Sequence, residues 1–177
     1  MSFQAGPQSR ADDSPIADPT FRVPWYVKAF ASGLYTGFSP VATGTAGSLL
    51  ALAIYMIPGF EHPYVIMPAC ALALLFGAKA AGIMEKRYGH DPAEVTIDEV
   101  LGMWISLVLV PKSLEAALIA FLIFRILDVL KPWPAKKFDT LIGGTGIMMD
   151  DVVVAVYTNL IIHVIVRLEL HTLLPLP

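Results

Sequence analysis

The chain has a single cysteine, Cys70, among its 177 residues. That excludes an intramolecular disulfide and a cysteine-rich metal site. Cys70 lies inside an apolar run, where simple packing is its expected role. Charge is also scarce: Asp, Glu, Lys and Arg make up 15% of the residues, against about 25% in soluble domains. The apolar share is 56%, against roughly 45–50%. This composition argues against a water-soluble globule and for an integral membrane protein. The net charge of −3 says little as a total, and no nucleic-acid partner is expected from it. An apolar leader is missing too. Met1 to Thr20 is polar, with Pro, Ser and Asp, and reads as a disordered tail rather than a secretory signal. Residues 21–177 are then one membrane-embedded domain.

What is present is a series of apolar runs. Phe21 to Ala31 mixes Phe21, Trp25, Tyr26 and Phe30 with Arg22 and Lys28, which suits a helix in the membrane interface. An ordinary surface helix packed on a bundle fits it equally well. Gly33 to Ser48 is rich in Gly, Ser and Thr and is expected to be loop. Five apolar runs follow: Leu49–Ile57, Tyr64–Gly82, Val100–Val110, Leu114–Leu130 and Val152–Leu168. The first and third are short for a full crossing, since a helix rises about 1.5 Å per residue and the hydrocarbon core is roughly 30 Å thick. The expected fold is all-α: a compact multi-pass bundle of about five membrane helices plus the N-terminal interfacial helix.

Span parity then sorts the polar segments. If each run returns the chain across or out of the bilayer, the 43–48, 84–99 and 130–151 segments share one face. Of the 12 Lys and Arg residues, only Lys112 and Arg167 fall on the other face. The cation-rich face is cytoplasmic by the positive-inside rule.

Three polar clusters converge there. In the first, Gly44-Thr45-Ala46-Gly47-Ser48 can offer backbone N–H groups and the Thr45 and Ser48 hydroxyls to an anion. Its plainer reading is a connection in which Thr45 or Ser48 caps the next helix. The second is Thr96-Ile97-Asp98-Glu99, where Thr96 and Glu99 also fit a capping box. The third runs from Phe124 to Asp151. Arg125 and Asp128 stand i,i+3 on one helix and can pair. Lys131-Pro132-Trp133-Pro134 breaks that helix, with Trp133 suited to an interfacial anchor. Lys136 and Lys137 follow. Gly143, Gly144 and Gly146 either cradle phosphate or only make a tight turn. Asp150 and Asp151 precede the last run, where a helix dipole alone could explain them.

Each cluster singly has such a structural explanation. Together they set Asp98, Glu99, Asp128, Asp150 and Asp151 at one membrane face with no sulfur ligand nearby. Hard oxygen donors suit Mg²⁺ or Mn²⁺. Arg125, Lys131, Lys136 and Lys137 suit phosphate or an anionic headgroup. Acids for metal and cations for phosphate at a lipid interface describe phosphoryl chemistry on a lipid. His90 is a candidate proton carrier, though a solvated loop histidine is the simpler reading.

At these residues the chain resembles the phosphatidylglycerophosphatase A family. The resemblance rests on Gly44 to Ser48, Asp98-Glu99-Val100-Leu101-Gly102-Met103-Trp104, Phe124 to Asp128 through Lys131-Pro132-Trp133-Pro134, Phe138-Asp139, and Gly143 to Asp151. It extends from about Tyr26 to Ile165. Thr43 departs from it, standing where the family often has proline. The resemblance implies a Mg²⁺-dependent hydrolase of phosphatidylglycerophosphate in bacterial phospholipid synthesis, seated in the inner membrane with its site toward the cytoplasm. It assigns metal and catalytic roles to Asp98, Glu99, Asp128, Asp150 and Asp151, and phosphate contact to Arg125 and Lys131. The bilayer and the lipid substrate are the implied partners, and a homo-oligomer is compatible with it.

Other phosphatase chemistries lack their residues. Cys70 has no Cys-x₅-Arg partner, and neither an Asp-x-Asp-x-Thr/Val nor a Ser-Gly-His core occurs. The Asp-Gly-x₂-Ala-Arg signature of CDP-alcohol phosphotransferases is also missing. The alternative of another class is a non-catalytic membrane subunit or small cation transporter using the same acids.

Overall fold

The computed structural model describes residues 17–173, so most of the expected polar tail lies outside the described residues. Its last part is placed: the Asp18 amide donates to the Lys86 carbonyl at 3.0 Å. The described chain is all-α. Its helices are α1 (Trp25–Ala31), α2 (Thr43–Tyr55), α3 (Pro63–Tyr88), α4 (Ile97–Ser106), α5 (Leu114–Leu130), α6 (Ala135–Asp139) and α7 (Gly144–Leu173), with one 3₁₀ turn at Thr36–Phe38.

α4 and α7 pack on each other at the centre. α2 lies against α4, α3 against both α4 and α7, α5 and α6 against α7, and α1 against α3. Small residues make these approaches close: Ala51, Ala73, Ala80, Ala81, Ala117, Ala120 and Ala155 are all buried. Close packing of this kind is how helices associate in lipid, where no hydrophobic drive separates helix from solvent.

The outward faces are apolar. On α5, Leu114, Leu118, Leu122, Ile126 and Leu130 recur every fourth residue and are exposed. On α7, Val156, Leu160, Val164 and Leu168 do the same. Residues four apart share a helix face, so each set is a continuous greasy stripe. α3 and α7 are long and apolar enough to cross a membrane, and only 28% of the most apolar window of each is buried in the bundle. A core helix of a soluble protein would be mostly buried. This fits a membrane protein.

The remaining three apolar runs make shorter helices. α2, α4 and α5 have 13, 10 and 17 residues. At 1.5 Å per residue they rise about 20, 15 and 25 Å, less than the roughly 30 Å hydrocarbon core.

Two local expectations are overturned. The Thr43–Ser48 stretch is not loop: it forms the first turns of α2. The chain enters that helix through Ala42 at φ 49°, so neither Thr45 nor Ser48 caps it. The Ser48 hydroxyl instead bonds back to the Gly44 carbonyl at 3.0 Å. Composition suggested a loop because glycine lowers helix propensity, but tight packing against α4 and α5 outweighs that cost. α7 likewise begins at Gly144 rather than near Val152. Asp150 and Asp151 therefore sit in the second turn of the helix, beyond the reach of the dipole effect.

Candidate active site

Three helices bring the five acids to one end of the bundle. α4 supplies Asp98 and Glu99 from its first turn. The expected capping box does not form there. The Thr96 hydroxyl turns away to the Thr36 hydroxyl at 3.0 Å, and the Thr96 amide donates to the Ala31 carbonyl. The Glu99 amide is taken by Asp98 Oδ1 at 3.0 Å, which leaves the Glu99 carboxylate to face inward. α5 supplies Asp128 from its last turn, with Arg125 Nη1 donating to Asp128 Oδ2 at 2.9 Å. The same guanidinium lies 4.0 Å from Glu99 Oε1.

Lys131 ends α5 in the left-handed conformation, φ 42°. From there its Nζ donates to Asp150 Oδ2 at 2.7 Å. α7 delivers Asp150 and Asp151 after Gly143, whose φ of 98° makes the turn that a side chain would strain.

Asp98, Glu99, Asp128, Lys131, Asp150 and Asp151 line one cavity of about 330 Å³. Asp91 and Thr43 also reach it. One oxygen from each of Asp98, Glu99 and Asp151 lies within 4.8 Å of the other two. Carboxylates this close cannot all be ionised unless a cation or shared proton lies between them.

The donor set fits a hard divalent ion. Glu99 Oε2, Asp150 Oδ1 and Asp151 Oδ2 are buried and have no hydrogen-bond partner. A buried carboxylate oxygen left so is costly, and metal coordination is one of the few ways to satisfy it. Oxygen-only ligands favour Mg²⁺ or Mn²⁺ over softer metals. By this geometry Asp98, Glu99 and Asp151 form the inner group. Asp128 and Asp150 flank them, each tied to a cation.

The other candidates are placed differently. Thr45 and Ser48 do not line the cavity. Gly44 does matter, because a methyl there would collide with the Glu99 carboxylate and the Arg125 guanidinium. Gly144 and Gly146 are packing positions, against the Ala78 and Leu141 carbonyls. Lys136 and Lys137 are exposed on α6 and do not line the cavity. Trp133 is exposed, with Lys137 over its ring.

His90 is not directed at the acids. Its Nδ1 lies 2.9 Å from Glu85 Oε1, and that oxygen also accepts the Gly143 amide at 3.2 Å. Glu85 was not expected as part of the architecture. A buried acid on α3 that grips the turn before α7 leaves no motif in sequence.

The family model for phosphatidylglycerophosphatase A matches residues 29–166. Phosphatidylglycerophosphatase A of Escherichia coli is 36% identical over 145 residues, covering 80% of this chain and 83% of that protein. Its Haemophilus influenzae namesake is 32% identical over 146 residues, with 78% and 88% covered. A Bacteroides thetaiotaomicron protein, provisionally named phosphatidylinositol-3-phosphatase, is 40% identical over 141 residues, with 75% and 89% covered. No solved structure is significantly similar to the chain. All five acids fall within the matched segment, and so do the cations that pair with them. The chain belongs to the phosphatidylglycerophosphatase A family.

Proposed function

We propose that this chain hydrolyses the terminal phosphomonoester of phosphatidylglycerophosphate to phosphatidylglycerol and phosphate, with Mg²⁺ held among its carboxylates. The observation that carries this reading is the buried group of Asp98, Glu99 and Asp151, with unpartnered oxygens, inside the family segment. Asp98, Glu99 and Asp151 hold the ion. When bound, Mg²⁺ neutralises charge on the phosphate oxygens.

The protein's own groups do the rest. Arg125 and Lys131 draw the phosphate in, exchanging part of their present pairing with Asp128 and Asp150 for phosphate oxygens. Asp128 holds the guanidinium beside Glu99 at the edge of the cluster. A carboxylate of the cluster takes the proton of the attacking water. The water oxygen bonds to phosphorus, the ester P–O bond breaks, and the departing lipid oxygen takes up a proton.

The apolar stripes of α5 and α7 and the length and low burial of α3 support a bilayer location. We read α2 to α5 and α7 as embedded in the bacterial inner membrane, with the acid cavity facing the cytoplasm. A second substrate deserves an arm of the test, because the Bacteroides relative's name refers to a phosphoinositide.

The experiment is phosphate release by the purified chain from phosphatidylglycerophosphate and from phosphatidylinositol 3-phosphate, each with Mg²⁺ and with chelator. Release should be faster from phosphatidylglycerophosphate and should drop about a hundredfold or more on chelation, the scale of losing a charge-stabilising group. Faster release from the phosphoinositide would move the substrate. No release from either would leave the acids as part of a transporter or subunit.

A further inference from the structure

A second cavity, of about 560 Å³, lies apart from the acids. Arg22, Lys28 and Arg87 line it together with Phe21 and Tyr88, and none of these five borders the acid cavity. Lys28 and Arg87 are half-buried. Aromatic rings hold both in place. Lys28 Nζ is 4.6 Å from the centre of the Phe38 ring and 5.7 Å from that of Tyr88. The Arg87 guanidinium lies 5.9 Å from the Tyr88 ring, and its Nη1 donates to the Asp18 carbonyl at 3.3 Å. Among the described residues the nearby acid is Asp18, whose carboxylate accepts from the amide and hydroxyl of Thr20. Three cations against one engaged carboxylate leave the cavity positive.

Beside it, between α1 and α3, runs a largely apolar groove of about 340 Å³ lined by Tyr26, Val27, Phe30, Phe76, Ala80 and Ile83 together with Lys79, whose Nζ lies 5.9 Å from the centre of the Phe76 ring. The two adjoin along the helices. Phe76, Ala80, Ile83 and Arg87 succeed one another at steps of four, three and four on one face of α3. Val27 of the groove adjoins Lys28 of the cavity. The cations sit at the same end of α3 as the acid cavity. The groove leads from them toward the middle of a helix long enough to span a membrane.

We propose that the α1–α3 face binds an anionic glycerophospholipid from the bilayer, with its phosphate among Arg22, Lys28 and Arg87 and an acyl chain in the groove. Charge complementarity fixes the headgroup class, and the adjoining greasy channel selects a lipid over a soluble anion. The site rests on the membrane reading and not on the hydrolytic one. Tyr88 borders this cavity and Asp91 borders the other, three residues on, so the bound lipid would sit beside the acidic site.

The probe is dioleoyl phosphatidylserine, which has no terminal phosphomonoester to hydrolyse. Its retention by the intact chain, released from neutral detergent micelles into a mass spectrometer, is compared with that of dioleoyl phosphatidylcholine. Phosphatidylserine should bind one to one and preferentially. The combined variant Arg22→Gln, Lys28→Gln, Arg87→Gln should weaken it about a hundredfold, at roughly fivefold per cation. Melting in detergent should stay unchanged. Ile83→Ser should weaken the lipid while leaving the cations intact. It also carries the test alone if the triple variant does not fold.

Unchanged affinity in Ile83→Ser or in the triple variant would overturn the site. So would loss of binding in Arg125→Gln, which would place the lipid in the acid cavity. Displacement by inorganic phosphate at equal concentration would mean a soluble-anion pocket and would also overturn it.

Discussion

At the scale of single residues, what distinguishes a ligand from a structural acid is what remains when its partner is removed. Asp128 is paired with Arg125 at 2.9 Å inside an otherwise apolar helix. If that pair were only structural, replacing both members by apolar groups would be tolerated, whereas removing one would strand a buried charge. The site reading expects another outcome. Asp128→Asn should abolish Mg²⁺-dependent phosphate release in protein that still inserts and melts normally. The double variant Arg125→Leu, Asp128→Leu should fold and remain inactive. Substantial turnover by either protein would leave the ion pair as the whole explanation of these two residues.

Gly44 supplies a second test, from packing. Gly→Ala in a helix interior stabilises by about 0.8–1 kcal/mol, and Gly44, the second residue of α2, would gain only part of that. At this position the added methyl would meet Glu99 and Arg125, so the gain competes with displacement of the site. Gly44→Ala should lower phosphate release by about a hundredfold, since a misplacement of roughly 1 Å can cost that much. Melting and a Mg²⁺ titration of activity would be measured together. Near wild-type activity would show that the close approach is dispensable.

The order of the apolar runs led to the expectation that the five acids share one face, and in the structure they line one cavity. The reason for Gly44 was not legible in sequence, because nothing in Gly-Thr-Ala-Gly-Ser announces a helix face that another helix must touch. Thr96 misled in the opposite direction. Its spacing to Glu99 fits a cap, but its hydroxyl is used by Thr36, sixty residues away.

At the scale of elements, the informative feature is how α4 ends. It stops at Ser106 after 10 residues; the turn after it sends the Leu107 and Val108 amides back to the Trp104 and Ile105 carbonyls, and later carbonyls are left to find other donors. In lipid those groups must find partners within the protein. Asn159 on α7 provides partners: its Nδ2, with two hydrogens to share among them, lies 3.2, 3.1 and 2.9 Å from the carbonyls of Ile105, Ser106 and Val108. His163, one turn on, lies 3.3 Å from the Val108 carbonyl. A helix that ends early can therefore remain inside the bundle. That is why the third apolar run, too short in sequence to cross, still forms a stable element.

Asn159→Leu should strip the Ser106 carbonyl of its Asn159 donor, leave Ile105 and Val108 with their weaker second partners, and lower stability by about 1–3 kcal/mol. Denaturant unfolding in detergent micelles would read this as a lower midpoint with an unchanged slope. No change would mean that water or lipid headgroups reach the end of α4. Lengths and apolar faces were readable from the runs, and α5 has the expected bounds, Leu114–Leu130. The cap was not readable, because an asparagine and a histidine in an apolar run show no partner until α4 and α7 are packed together.

At the scale of the whole molecule, the two ends of the bundle differ in charge and in chemistry. One end gathers the acid cavity, the cationic cavity and the termini of α3 and α5 with Lys86, Arg87 and Lys131. At the other, Lys112 bridges Glu61 at 2.7 Å and the Ile57 carbonyl at 2.9 Å. That bridge holds Glu61 below the usual carboxylate range, chiefly through the Lys112 hydrogen bond. α3 separates the two ends by 26 residues, about 39 Å of helix, enough to carry them to opposite surfaces of a bilayer. Cations outside the bilayer gather on the cytoplasmic side, so the end bearing both cavities should be the cytoplasmic one. Single cysteines at Lys86 and Lys136, on a Cys70→Ala background, should react with an impermeant thiol reagent in inverted vesicles and not in right-side-out ones. A cysteine at Lys112 should show the reverse pattern. The Lys112 result decides between arrangements, because its bridge to Glu61 ties the α4–α5 connection to the α2–α3 connection. Labelling of Lys112 from the same side as Lys86 would mean that α3 does not cross, and the bundle would have to lie on the membrane instead of through it.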